Sequence, residues 1–197
     1  MKSKALFFFC LLFCLPMFGQ EQVGSYSSDY WKKSFQVLAT VNKSGNLDDI
    51  YVEVEAKSSR LAAIYFDAKD LNTFVTALRE MKAKHIEWTK VAADNNVTKM
   101  DKDYTIKFPK ITVAWYGTKW WFAFNERMTF TFRVTEAGKC ISFWNQKVTS
   151  SSNEYIDETV YMAFGSEEDF DELINALDEN KMLENLKKKD SQQDLFN

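Results

Sequence analysis

The chain has 197 residues, of which 46% are hydrophobic and 16% aromatic, and carries a formal charge of −3. That length suits one domain with a sizeable core, and an acidic balance argues against a surface built to neutralise phosphates, so no nucleic acid is expected as partner. Three cysteines are too few for a disulfide scaffold of the small secreted kind.

Lys2 and Lys4, the apolar run 5–15 and the break at Pro16-Met17-Phe18-Gly19 read as a secretory signal peptide over 1–19. The run is shorter than the about 20 apolar residues needed to span a bilayer. The expectation is cleavage near Gln20, a secreted or periplasmic bacterial protein, and no stable membrane insertion afterwards. Cys14 is preceded by bulky Phe13, which disfavours a lipid anchor. Setting the 19 residues aside leaves 178 of 197, moves the formal charge from −3 to −5 by loss of Lys2 and Lys4, and leaves Cys140 as the single cysteine.

Residues 20–29 are polar, with Gly24 and several serines, and predict a flexible lead-in. Phe35, Val37, Ala39 and Val41 alternate with other residues as in a strand, and so do Ile50, Val52, Val54 and Ala56 after the loop 42–49. A short apolar run, 61–66, precedes the segment 67–82, DAKDLNTFVTALREMK. Leu71, Phe74, Val75 and Leu78 form the stripe of an amphipathic helix, which continues through Met81, His85, Trp88 and Ala92 to a stop at Asn95-Asn96. Residues 97–103 read as a polar connection, and Tyr104, Ile106 and Phe108 as a short edge strand ended by Pro109.

The run 111–124, ITVAWYGTKWWFAF, predicts a hairpin with a two-residue Gly117-Thr118 turn, which sets Trp115 opposite Trp120 and Val113 opposite Phe122. Strands follow at 128–134, 140–148 and 155–164. Then 166–181, SEEDFDELINALDENK, repeats the first helix segment 99 positions on, without a gap. Asp67 and Ser166 are both N-cap types, Asp70 and Asp169 follow three positions later, and Phe170, Leu173, Ile174 and Leu177 restate the stripe.

The pattern therefore predicts an α+β fold of antiparallel strands and two amphipathic helices, an internal duplication of a strands-then-helix unit. One domain is expected over 30–183, with halves at about 30–96 and 103–183, followed by a charged tail at 184–197. In topology alone, strand meanders closed by a helix resemble the PUR-type nucleic-acid-binding repeat. That resemblance would imply nucleic-acid binding, yet no strand here carries a basic face.

Candidate chemistry is sparse. His85 is the single histidine and reads as a core-edge residue with one satisfied nitrogen, because no triad or ligand spacing surrounds it. Cys140 reads as a small buried hydrophobe rather than a nucleophile. One histidine and one cysteine cannot make a zinc site, no calcium loop is present, and neither metal nor cofactor is expected. Glu53 and Glu55 share the polar side of one strand, about 7 Å apart, and read as a solvated face rather than a glycosidase pair. Glu154, Asp157 and Glu158 leave weak cation binding open.

The unusual signal is aromatic. Trp115, Tyr116, Trp120 and Trp144 are the candidate ligand-binding residues, because indole and phenol rings bind sugars and apolar ligands and anchor protein interfaces. The competing reading is that helices cover these rings as core. The expected function is an exported, non-enzymatic binding module for a small molecule, glycan or protein. The alternatives are a secreted hydrolase using carboxylates and a structural envelope-associated domain.

Overall fold

A computed structural model describes residues 20–193, with side chains described to 188; the signal-like segment 1–19 and residues 194–197 lie outside the described residues. The order is β1 (Glu21–Ser28), β2 (Lys33–Val41), β3 (Leu47–Ala56), β4 (Leu61–Asp67), α1 (Leu71–Asp94), β5 (Met100–Asp103), β6 (Ile111–Tyr116), β7 (Trp120–Glu126), β8 (Thr131–Val134), β9 (Cys140–Ser150), β10 (Asn153–Phe164), α2 (Glu167–Ala176) and α3 (Glu179–Gln193). This is an α+β fold on a ten-stranded antiparallel sheet. Four strands precede the first helix and six precede the second.

β3 is the strand on which the sheet divides. Its first part pairs with β2 through Val37↔Val52 and Ala39↔Ile50, and its opposite edge pairs with β4. At its end β3 takes β10 as a partner through Val160↔Ala56 and Tyr161↔Glu55. One arm then runs β4-β6-β7 and the other β10-β9-β8-β5. The inward residues of both arms share one core with the helices: Ile50, Ile64, Val113, Phe132, Trp144 and Phe164 meet Phe74, Leu78, Met81, Phe170 and Leu173. Phe74 stacks on Phe66 at 4.5 Å, and Phe170 on Phe164 at 4.3 Å.

The two helix starts differ in detail. Ser166 caps α2 by accepting from the Asp169 N–H at 3.3 Å. Asp67 makes no such bond; it pairs with Lys69, and a 3-10 turn at Ala68–Asp70 leads into α1. α1 runs unbroken to Asp94, whereas the second helical segment breaks at Leu177-Asp178 before α3. Lys82, which sits near the stripe, leaves the core to pair with Asp171 of α2 at 2.7 Å. Two segments depart from expectation at the ends. The lead-in 20–29 is largely strand β1, because Val23, Tyr26 and Ser28 turn inward around a bulge near Gly24. The tail continues as α3 through Gln193, with Met182 and Leu186 buried.

The β1–β2 turn is fastened from below. Ser28 Oγ donates to Ala163 O at 2.8 Å, and Ser27 N–H donates to Glu172 at 2.6 Å. Asp169 accepts from Asp29 N–H at 3.1 Å and Gly165 N–H at 2.7 Å. The carboxylate three positions after the cap thus holds the residue before the cap and the β1–β2 turn, instead of closing a capping box on the N–H of Ser166. Desolvation by burial, opposed by these hydrogen bonds, raises its pKa above the ordinary aspartate range.

Candidate functional site

β6 and β7 pair as Tyr116↔Trp120, Trp115↔Trp121, Ala114↔Phe122 and Val113↔Ala123. Gly117 N–H donates to Lys119 O at 3.0 Å, so the connecting loop is three residues, 117–119. The expected two-residue turn needs a positive φ at its first central residue, and Gly117 is not among the positive-φ glycines. The extra loop residue slides β7 by one position, and a one-residue slip exchanges the faces of a strand. Trp121 and Ala123 therefore join Trp115 and Val113 on the inner face. Trp120, Phe122 and Phe124 turn outward with Tyr116 and Ala114.

This register separates the four sequence candidates. Trp115 and Trp144 are core residues, 2% and 1% exposed, and Trp144 Nε1–H donates to Gln146 at 3.1 Å. Tyr116 and Trp120 are half-buried on the outer face, their rings edge-to-face at 5.5 Å. The structure adds Phe122 and Phe124 to this outer group. Phe124 is 50% exposed, and its ring lies parallel to Phe122 at 6.1 Å.

The aromatic surface extends across the sheet. Leu61 lies opposite Tyr116, Ala63 opposite Ala114, and Tyr65 opposite Thr112. Tyr51 lies opposite Tyr65, with ring centroids 5.0 Å apart. Ala63 and Ala114 thus form a small-residue floor between the tyrosine pair and the Tyr116-Trp120-Phe122 group. α1 stacks on Phe66, whose side of β4 is opposite to that of Tyr65, so the helix lies under the sheet and not over these rings. The free edge of β7 is closed: Ser151 N–H donates to Phe122 O at 2.8 Å, and Phe124 N–H donates to Ser151 Oγ at 3.0 Å. Strand addition is blocked there, leaving the face itself as the accessible element.

A second polar constellation was not anticipated. His85 Nδ1 lies 2.8 Å from Ser142 Oγ, which lies 2.5 Å from the Tyr104 hydroxyl. Ser142 and Tyr104 offered only an inward-facing serine on β9 and a tyrosine beyond α1 as signals. The group has the composition of a hydroxyl–imidazole pair, yet Ser142 is 0% exposed and a substrate carbonyl cannot reach it. Burial lowers the His85 pKa to about 4, so the imidazole is neutral near pH 7 and ties α1 to β9. Cys140 is half-buried and unbridged.

Glu53, Glu55 and Glu158 are engaged. Glu53 accepts from Gln36 N–H at 2.9 Å, and Glu55 pairs with Lys33 at 2.7 Å. Glu158, a cation candidate by sequence, is 3% exposed and accepts from Ser58 N–H, Ser59 Oγ and Thr159 N–H at 3.1, 2.5 and 2.8 Å. It ties the β3–β4 turn to β10. Among the described residues, no group of three or more His, Cys, Asp or Glu side chains could hold a metal ion. Comparison with known protein families, curated proteins and solved structures gives no match to this chain.

Proposed function

We propose that this chain is an exported, non-enzymatic interaction module that holds a partner protein on the outer aromatic face of β4, β6 and β7. The observation that carries the reading is the outward row Tyr116, Trp120, Phe122 and Phe124, with Phe124 half exposed on the hairpin. Aromatic residues are enriched at interface cores, and their rings contribute area at low entropic cost. A protein is favoured over a glycan because Phe122 and Phe124 bring no hydroxyl to meet sugar hydroxyls, and the Tyr51 hydroxyl is directed at Asp49 at 3.5 Å.

The internal duplication belongs to the same proposal. Its support is the shared burial of Leu71, Phe74 and Leu78 with Phe170, Leu173 and Leu177, on helices that follow β4 and β10 respectively.

The test is photo-cross-linking in the source cells, with a photoreactive residue at Phe124 and, as control, at exposed Lys90 of α1. A discrete protein adduct at position 124 and none at 90 is the expected outcome. Equal labelling at both positions, or none at 124, rejects the face as the interaction surface.

A further inference from the structure

At one end of the outer aromatic face the fold leaves negative charge unanswered. Asp49 of β3 lies directly opposite Asp67 of β4. Both stand two residues beyond the Tyr51–Tyr65 pair, on the same side of the sheet, because side chains alternate along each strand. Like charges set directly opposite one another destabilise a sheet, and exposed Asp48 adds a third carboxylate beside them. Burial first, then Asp48 and Asp67, hold the Asp49 carboxyl above the ordinary aspartate range.

Lys69 pairs with Asp67. Among the described residues, Asp48 and Asp49 make no ion pair, and exposed Lys110, just before β6, bonds to neither. The Asp49 carboxylate receives only the Tyr51 hydroxyl, at 3.5 Å. Other charges on the sheet are met within the chain. Glu55, at the far end of the same strand face, pairs with Lys33 at 2.7 Å. In the cleft of about 160 Å³ beneath Trp31, Arg133 is already paired with Asp101 at 2.6 Å. The Asp48-Asp49 corner is therefore the part of the aromatic face whose charge asks for a cation from outside.

Resting on the reading of this face as a protein-binding surface, we propose that the segment docking there is basic as well as apolar. Its apolar side chains cover the Ala63–Ala114 floor and the rings around it, and a lysine or arginine beyond them pairs with Asp49 and Asp48. Four residues of β4 separate Ala63 from Asp67, about 13 Å at the rise of a strand. In an extended docking segment the apolar anchor and the basic residue thus stand about four positions apart. The Tyr51 and Tyr65 rings give the incoming cation a stacking surface. The apolar face supplies the contact area, while the acidic corner speeds the encounter and turns away acidic segments. A second copy of this chain, with a formal charge of −3, is a poor occupant.

The test irradiates purified protein carrying a photoreactive residue at Phe124 in an extract of the source cells, at low and at high salt, and sequences the cross-linked segment. That segment should contain lysine or arginine near the point of attachment. Asp48→Asn combined with Asp49→Asn should lower the adduct yield by about three- to tenfold, and high salt should lower it in the unaltered protein. Asp94→Asn, at an exposed carboxylate ending α1, should leave it unchanged. The double neutralisation removes a repulsion, so its thermal midpoint should stay level or rise, which separates lost docking from lost fold. An adduct whose yield ignores Asp48 and Asp49, an acidic cross-linked segment, or an adduct with a second copy of this chain overturns the proposal and leaves the face as an interaction surface. A lowered thermal midpoint also overturns it, because the carboxylates would then serve the fold. No adduct at position 124 rejects the face and the basic partner together.

Discussion

His85 Nδ1 on α1 lies 2.8 Å from Ser142 Oγ on β9, and this contact fastens the long helix to the centre of the β8–β10 arm. Burial holds the imidazole at about 4, against an ordinary value near 6.5. The unfolded chain therefore binds a proton that the folded chain refuses. The stabilising contribution is complete above about pH 6.5 and is lost progressively as pH falls towards 4. Between pH 7.5 and 5 the loss from this group should reach about 2 kcal/mol. Urea denaturation of the unaltered protein and of His85→Gln, at both pH values, isolates it; an equal pH response in the two proteins rules it out.

Asp169 governs the turn that carries Tyr30 and Trp31. Asp169→Ala removes the acceptor for Asp29 N–H and Gly165 N–H and should cost about 2–4 kcal/mol. Asp169→Asn keeps one acceptor oxygen and should cost about half as much. Amide exchange should accelerate at Asp29 in both variants. Unchanged protection there would show that the turn is held without this carboxylate.

The helix stripes give a packing test. Leu78 is 0% exposed and Leu177 2% exposed, so truncation of either to alanine should cost about 2–5 kcal/mol. A loss below about 1 kcal/mol at either position would mean that its stripe does not face close-packed core. At Thr89 the sign is opposite. Its buried hydroxyl has no partner, and the near-isosteric Thr89→Val should raise stability by up to about 1 kcal/mol.

Regular alternation and helical stripes made much of this fold legible. Ile50, Val52 and Val54 point inward as their spacing implies, and Phe74, Leu78 and Met81 are buried as the stripe implies. β1 was hidden because the bulge between Gln22 and Gly24 breaks the two-residue period and because a serine, Ser28, takes an inward position by bonding Ala163 O. Gly24 read as flexibility. Its role is clearance, since a Cβ there would meet Ala176 Cβ of the packed helix at 3.1 Å. Residues 104–108 alternate but do not form a strand; the edge strand is β5, just before them.

The candidate site was legible in composition and not in orientation. Trp120 and Trp121 are adjacent and both apolar, so hydrophobicity gives the hairpin no reason to prefer one register. The three-residue loop decided which indole faces the core. The cleft beneath Trp31 left no local signal, because its lining comes from three strands and a turn distant in sequence.

The most direct measurement is equilibrium denaturation of Trp115→Thr and Trp120→Thr, made as single variants and compared side by side. Threonine keeps strand propensity in both, so the difference reads burial. An open outer face predicts that Trp115→Thr loses about 3–5 kcal/mol, as for emptied aromatic core, while Trp120→Thr loses about 1 kcal/mol or less. Equal, large losses at the two positions would place Trp120 in the core and contradict the exposed aromatic face.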